Sequence, residues 1–164
     1  MGAHSPVIMG ILNLTPDSFS DGGQFDSVQS AVQAARSMVA HGAQIIDVGG
    51  ESTRPGAERI SLRVELERVV PVIGQLSQQG IYVSIDTMRA EVAKAAVDAG
   101  AQMVNDVSGG LSDPHMLRTV ARRGVPIVIM HWRGPGSYTH RTLQTALRVR
   151  CYVGDILRHI SVVA

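Results

Sequence analysis

Short runs of β-branched apolar residues alternate with amphipathic stretches from residue 7 to residue 131. The runs lack the polar alternation of a half-exposed strand and are typical of parallel strands that are buried on both faces. They predict five strands, at Val7 to Asn13, Gln44 to Val48, Tyr82 to Asp86, Met103 to Val107 and Pro126 to His131. This order predicts an α/β fold built on a parallel sheet.

Between the strands, apolar side chains recur at the three- and four-residue spacing of helices that pack on a sheet. The stripes run from Val28 to Val39, Leu62 to Leu76, Val92 to Ala99 and Met116 to Ala121. A glycine stands between each helix and the next strand, where a left-handed C-cap is expected. These glycines are Gly42, Gly80, Gly100 and Gly124.

Alternating strands and helices form either an open doubly wound sheet or a barrel, and periodicity does not separate the two. Two observations favour the barrel. No G-x-G-x-x-G motif follows the first strand, and polar residues follow several strands instead of gathering at one switch point. We therefore predict a parallel (β/α)8 TIM-barrel type of fold, with about the first five β/α units present.

Bulk composition argues against several classes of partner. The 15 Lys and Arg side chains balance 14 Asp and Glu, for a formal charge of +1, so nucleic acid and membrane surfaces are not expected partners. No stretch has the roughly 18 consecutive apolar residues of a membrane span. The first six residues lack a basic signal-peptide region, and the single cysteine, Cys151, suits a reducing compartment. A cytoplasmic protein is predicted.

The polar segments that follow the strands carry the candidate chemistry, because in a barrel every strand's carboxyl end opens on the same face. In chain order these segments read NLTPDSFSDGG, DVGGESTRPG, SIDT and NDVSGG, and the fifth strand ends in Met130 and His131. In order and spacing they resemble the dihydropteroate synthase family across roughly residues 6 to 133. Corrinoid-linked methyltetrahydrofolate methyltransferases share the pterin-binding carboxylates, but the first two segments here look like the synthase.

The resemblance implies condensation of 6-hydroxymethyl-7,8-dihydropterin diphosphate with p-aminobenzoate to dihydropteroate and pyrophosphate, a step of folate biosynthesis. Asp86 and Asn105 match the family's catalytic, pterin-binding pair. Asp47 matches a carboxylate near the pterin, and Met130 matches a residue that packs on its ring. A carboxylate accepts paired N–H donors of such a ring, and an amide offers one donor and one acceptor.

The resemblance also assigns the second substrate and the metal. Asn13 matches the position that helps to hold Mg²⁺ against the diphosphate, and Mg²⁺ commonly uses few protein ligands together with phosphate oxygens. Phe19, Thr53 and Pro55 match the p-aminobenzoate pocket. Arg54 lies on the second segment, where a guanidinium clamps anions.

Four of the assignments have a plainer alternative. Asp86 is also suitably placed as the N-cap of the third helix. Asn105 would equally stabilise its loop, Arg54 would suit a solvated surface, and Met130 would suit ordinary core packing.

The sequence changes character after Trp132. Five of the 15 basic side chains but one of the 14 acidic ones lie in residues 133–164. We divide the chain into a barrel part, residues 1–132, and a divergent part, residues 133–164. The divergent part is predicted to form a loop and then a helix carrying Leu143, Leu147, Val153, Ile156, Leu157 and Ile160. A barrel of this type has eight strands and about 250 residues, so an open sheet is expected.

An open sheet exposes two strand edges, and pairing with another copy is the expected way to cover them. Three functions stay open at this point. They are an enzyme whose activity in these 164 residues is impaired, a non-catalytic pterin-binding module, and a structural remnant without a ligand.

Overall fold

A computed structural model of the chain describes residues 7–15, 24–52, 58–129, 148–153 and 156–162, with the backbone alone for 24–26 and for the last two ranges. The strands are β1 (Ile8–Asn13), β2 (Ile45–Gly49), β3 (Val83–Asp86), β4 (Met103–Asp106), β5 (Ile127–Ile129), β6 (Arg148–Val153) and β7 (Ile156–Val162). The helices are α1 (Gln24–Ala40), α2 (Leu62–Gln78), α3 (Ala90–Asp98) and α4 (Met116–Arg123).

The alternating pattern of the first five strands is confirmed. β1 to β5 pair in sequence order, and all four pairings are parallel. The described parts of the strands agree with the predicted ends to within one or two residues, and the end of the fifth prediction, residues 130 and 131, lies outside the described residues. All four glycines predicted as helix ends have φ between 67° and 115°, so their left-handed conformation is confirmed.

The expected open sheet is wrong. The seven strands form a closed barrel in the order β1 to β7, because β5 pairs with β6 and β7 pairs with β1. Both edges of the five-stranded sheet are therefore paired within the chain. The edge-strand argument for self-association no longer holds.

The helix predicted in the divergent part is also wrong over residues 148–153 and 156–162, which form an antiparallel pair of strands. Two features of the sequence account for this. Val149, Cys151 and Val153 recur at the period of a strand, and Gly154-Asp155 is a dipeptide typical of two-residue hairpin turns. An unpaired edge on each side favours strands over a helix, since β propensity depends strongly on available neighbours.

Apolar layers cover both faces of the sheet. The larger lies between the outer face of the strands and the helices, and includes Ile46, Ile73 and Ile85. The smaller lies inside the barrel and consists of Met9, Ile45, Met103 and Val128. None of the helices in the described ranges is long and apolar enough to cross a membrane.

Candidate functional site

A row of polar residues crosses the carboxyl ends of the first four strands. The strand pairing aligns Asn13 with Gly49, Gly49 with Asp86, and Asp86 with Asn105. Side chains aligned in register across parallel strands lie on the same face, and these positions are two or four residues from the interior residues Met9, Ile45 and Met103. The row therefore lines the mouth of the barrel.

Gly49 leaves space between two of these side chains. A Cβ atom added there would lie 3.4 Å from Asn13 Oδ1 and 3.7 Å from Asp86 Oδ2. These are ordinary contact distances, so a methyl group would fit but would fill the gap between the amide and the carboxylate. The glycine keeps both groups open to a bound molecule.

A second polar pair lies one layer deeper. Asp47 aligns with Ser84, and their side chains are 1% and 0% exposed. Asn105 Nδ2 donates a hydrogen bond of 2.8 Å to Asp47 Oδ2 across the two layers. Within the described residues, Asp47 Oδ1 and Ser84 Oγ have no hydrogen-bond partner. Buried polar atoms are rarely left unpaired, so this pair is suited to a water or a ligand group.

The two acidic residues of the site repel each other. Burial, reinforced by the negative charges of Asp47, Asp106 and Glu65, raises the pKa of Asp86 to about 8. Burial also raises the pKa of Asp47, against the opposing influence of the nearby Ser84 hydroxyl and the Asn105 amide. The Ser84 hydroxyl does not reach hydrogen-bond geometry, so Asn105 is the hydrogen-bond partner of Asp47. The ligand-free site therefore holds a proton at neutral pH.

Asp86 is not a helix cap. Helix α3 begins after Arg89, which makes no side-chain capping bond, and the first amide of the helix, Ala90 N, donates to Asp113 Oδ2 at 2.8 Å. Asp113 lies in the segment after β4, so the cap of α3 comes from a residue that is distant from the helix in the sequence. The capping alternative for Asp86 is therefore wrong.

Asn105 does not hold the loop that follows it. That role belongs to Asp106, whose carboxylate accepts hydrogen bonds from Ser108 N, Ser108 Oγ and Gly110 N at 2.7 to 2.8 Å. The contact of Asn105 runs instead to Asp47. Because the Asn105 Nδ2 group donates to Asp47, the side-chain oxygen of Asn105 is left to accept from a molecule in the barrel mouth.

Four of the nine predicted site residues fall in the described part of the chain, and the structure gathers Asn13, Asp47, Asp86 and Asn105 at one end of the barrel. Phe19, Thr53, Arg54, Pro55 and Met130 lie outside the described residues, and their roles stay predictions.

Sequence reasoning missed a buried network beside the site. Glu65 is 1% exposed, and it accepts hydrogen bonds from Thr87 and Arg89. One signal was available: Glu65 precedes Val69 by four residues, which puts a carboxylate on the apolar face of α2. A charge on such a face is rare unless it is paired.

The chain is similar to known proteins over most of its length. The sequence profile of the family described as "Pterin binding enzyme" matches residues 9–159. A dihydropteroate synthase from Mycobacterium leprae is 60% identical over 130 residues, which is 79% of this chain and 46% of that protein. A second, from Synechocystis, is 57% identical over 155 residues, or 94% of this chain and 52% of that protein. The chain spans about half the length of these curated relatives.

Solved structures give the same result. A Clostridium difficile dihydropteroate synthase, crystallised in the presence of pteroic acid, superposes with a TM-score of 0.77 at 47% identity, over 83% of this chain and 52% of that one. The Xanthomonas albilineans enzyme with 4-aminobenzoic acid gives 0.74 at 47% identity, over 84% and 50%. The resemblance drawn from the strand-end motifs is confirmed. Since the family profile covers most of its length, the chain belongs to the pterin-binding enzyme family.

Proposed function

We propose that the chain binds the pterin of a dihydropteroate synthase reaction. In that reaction, 6-hydroxymethyl-7,8-dihydropterin diphosphate and p-aminobenzoate give dihydropteroate and pyrophosphate. The observation that carries the proposal is the interior cluster of Asp86, Asn105 and Asp47, in which Asn105 donates a hydrogen bond to Asp47 and is aligned with Asp86 on the neighbouring strand. The names of the relatives, and the aromatic acids present with the two solved structures, support the same substrate class.

The cluster suits the edge of a pterin ring. That edge presents an amino group and a ring N–H side by side, and a carboxylate such as Asp86 accepts both in a charge-assisted pair. Asp47 orients the amide of Asn105, so that its oxygen faces the ligand as a further acceptor. Asp47 is in this sense a support for Asn105 as well as a neighbouring charge.

The raised pKa of Asp86 gives the binding step a proton. Below about pH 8 the ligand-free site carries a protonated Asp86, which cannot accept two N–H donors as a carboxylate does. Ligand donors stabilise the ionised form, so binding releases the proton. The cost of ionising Asp86 is then recovered only when a ligand with adjacent donors is present, which favours pterins over rings that lack them.

The chemical step joins the amino nitrogen of p-aminobenzoate to the methylene carbon of the pterin. The C–O bond to the diphosphate breaks, pyrophosphate leaves with the electron pair, and the nitrogen loses a proton. The described residues act by binding and orienting the pterin, and p-aminobenzoate is itself a competent nucleophile. Contacts to p-aminobenzoate are assigned by resemblance to Phe19, Thr53 and Pro55, with Arg54 beside them.

Magnesium is proposed at Asn13. Among the described residues no group of three His, Cys, Asp or Glu side chains is placed to hold a metal, so a cage of carboxylates has no support there. Asn13 is exposed at the mouth of the barrel and offers one amide oxygen, which fits an ion held mainly by diphosphate oxygens and water. Bound there, Mg²⁺ would offset negative charge on the diphosphate.

Calorimetric titration with 6-hydroxymethylpterin tests the proposal. The folded chain is expected to bind one equivalent, and Asn105→Ala is expected to weaken binding by about tenfold or more through loss of one hydrogen bond and of the partner of Asp47. Asp98→Asn, on the exposed end of α3, is the control and leaves binding unchanged. A folded wild-type chain that binds no pterin would refute the proposal.

A parallel assay of dihydropteroate formation with Mg²⁺ separates an active enzyme from a chain that binds pterin without turnover. Product formation by these residues alone is expected to be absent or very weak. Cytoplasmic location and self-association stay predictions, and light scattering of the purified chain tests the second.

A further inference from the structure

A buried charged network ties the segment between β2 and α2 to the strand end that carries Asp86. It consists of Glu51, Ile60, Glu65, Thr87 and Arg89, and we call it the Arg89 clamp. Glu51 and Ile60 lie at the two described ends of the segment. Glu65 is in the first turn of α2, and Thr87 directly follows Asp86.

Arg89 makes the central contacts. One terminal nitrogen donates to Glu65 Oε2 at 2.5 Å, and the other donates to the main-chain oxygen of Ile60 at 2.7 Å. The second nitrogen also lies 3.5 Å from Glu51 Oε2. A single planar guanidinium thus reaches the start of the segment, its end and the helix that follows.

Thr87 links this network to the strand end. Its hydroxyl donates to Glu65 Oε1 at 2.7 Å and accepts from Arg89 N at 3.2 Å. Its own main-chain N–H donates to Asn105 O at 3.1 Å. Thr87, the residue next to Asp86, is therefore fixed on one side by Glu65 and Arg89 and on the other by β4.

The start of the segment has two further anchors. Arg68 donates to the main-chain oxygen of Gly50 at 2.9 Å, and Arg59 pairs with Glu51 at 3.3 Å. A Cβ atom added to Gly50 would lie 2.8 Å from Val69 Cγ1, so the backbone packs directly on α2. These contacts leave little freedom for Gly50 and Glu51.

The three charged side chains of the Arg89 clamp are largely buried. Side-chain exposures are 1% for Glu65, 9% for Glu51 and 20% for Arg89. A buried ion pair contributes little net stability compared with apolar residues of the same size, so its presence points to a gain in geometric specificity. Here the geometry that it specifies is the position of both ends of one segment relative to Asp86.

We propose that Arg89 is a positioning residue that fixes the two ends of segment 51–60 relative to the pterin-binding strand end. The proposal rests on the proposed function in one respect: by resemblance, this segment carries Thr53 and Pro55 of the p-aminobenzoate pocket. In this proposal Arg89 acts through its contacts with Glu51, Ile60 and Glu65 and not by contact with a substrate. We therefore expect loss of Arg89 to weaken binding of p-aminobenzoate and to leave Asp86 and Asn105 in place.

The test uses the paired variant Glu65→Met/Arg89→Met, with Arg89→Gln as the single variant. Arg89→Gln leaves Glu65 buried without its cation and risks unfolding the chain, whereas the paired variant removes both charges together and is expected to fold. Arg63→Gln is the matched control. Arg63 lies on α2, the helix that carries Glu65, but its side chain is 80% exposed and pairs with Glu67 at the surface.

Hydrogen exchange is the first readout and needs no ligand. Amides of residues 50–52 and 58–61 are expected to exchange at least about tenfold faster in the paired variant, while those of β3 and β4 keep the wild-type rate. Unchanged exchange in residues 50–52 and 58–61 overturns the proposal. Equal acceleration in β3 and β4 also overturns it, because the clamp would then support the whole sheet.

Ligand affinity is the second readout. In the paired variant, pterin affinity is expected to stay at or above that of wild type, because the pterin contacts are separate from the clamp and loss of the Glu65 charge removes one cause of the raised pKa of Asp86. Affinity for p-aminobenzoate with pyrophosphate present is expected to fall about tenfold or more, as displaced binding groups cost much of their contribution. A parallel loss of both ligands contradicts a positioning role. A wild-type chain that binds neither ligand refutes the proposed function, while the exchange result still decides the role of Arg89.

Discussion

Replacing Asp86 by asparagine should stabilise the folded chain while it removes pterin binding. Burial and the charges of Asp47, Asp106 and Glu65 raise the pKa of this carboxyl group from its ordinary value of 3.8 to about 8. Asparagine has nearly the same shape and no charge. It therefore relieves the penalty of ionising Asp86 but cannot become the carboxylate that accepts two N–H donors.

The sign and size of the effect follow from proton linkage. Between about pH 4 and pH 8 the folded chain holds the Asp86 proton and the unfolded chain does not, so this group lowers the free energy of unfolding as pH rises. The full shift corresponds to about 1.4 kcal/mol for each pH unit, with an upper limit of about 6 kcal/mol. Asp86 is half-buried, and water at the barrel mouth screens part of this, leaving on the order of 2–3 kcal/mol at pH 8.

Urea denaturation followed by circular dichroism, from about pH 5 to about pH 9, measures the effect across the linkage window and beyond it. The advantage of Asp86→Asn over wild type should grow with pH and level off above about pH 8. Asp98→Asn is the control of opposite sign. Although desolvation opposes it, hydrogen bonds from Lys94 and Arg123 lower the pKa of Asp98, so its removal costs stability at neutral pH. Parallel stability profiles for wild type and Asp86→Asn would refute the reasoning.

Three further predictions rest on single features. Pterin affinity should increase with pH up to about 8, with release of a proton, because ligand binding favours the ionised form of Asp86; titrations in buffers of different ionisation enthalpy measure this, and proton uptake would contradict it. Gly100→Ala should lower the free energy of unfolding by about 1–3 kcal/mol, because φ is 115° and the new methyl group would collide with the Ser77 side chain. The control Gly74→Ala, where the methyl group meets no atom within 4 Å, should be neutral or stabilising, and equal losses in thermal melts would argue against the steric explanation. Ser84→Ala should stabilise the ligand-free chain by about 1 kcal/mol, since it removes a buried hydroxyl without a partner in the described residues; a comparable loss on chemical denaturation would show that the hydroxyl is satisfied.

The five parallel strands and four helices could be predicted because their signals are local. The buried runs have the composition of strands covered on both faces, and the glycines after the helices have the backbone angles that only glycine adopts without strain. Such features depend on a few neighbouring residues. The order of the elements then places the strand ends on one face.

The hairpin of β6 and β7 could not be predicted in the same way. The helix was predicted from Leu143, Leu147, Val153, Ile156, Leu157 and Ile160, while Val149, Cys151 and Val153 fit strand spacing in the same stretch. The choice depends on the edges of β5 and β1, which pair with β6 and β7. β5 is close to the hairpin in the sequence, whereas β1 is far from it. The spacing of apolar residues within the hairpin does not show that these two edges are available for pairing.

The residues of the site could be predicted from the sequence, but the hydrogen bonds between them could not. Motif resemblance selected Asp47, Asp86 and Asn105, but the hydrogen bond from Asn105 to Asp47 joins residues 58 positions apart and depends on the stagger of the barrel. The pairing of Glu65 with Arg89, 24 positions away, depends on how α2 and α3 pack. Sequence spacing does not report either distance.

A crystal structure of the chain with 6-hydroxymethylpterin tests the central claim most directly. The account predicts the ring in the barrel mouth, with its amino group and adjacent N–H donated to Asp86 and the side-chain oxygen of Asn105 accepting a further hydrogen bond, while Asn105 Nδ2 still donates to Asp47. A pterin bound elsewhere, or an Asn105 amide that releases Asp47 and turns its nitrogen to the ligand, would contradict it.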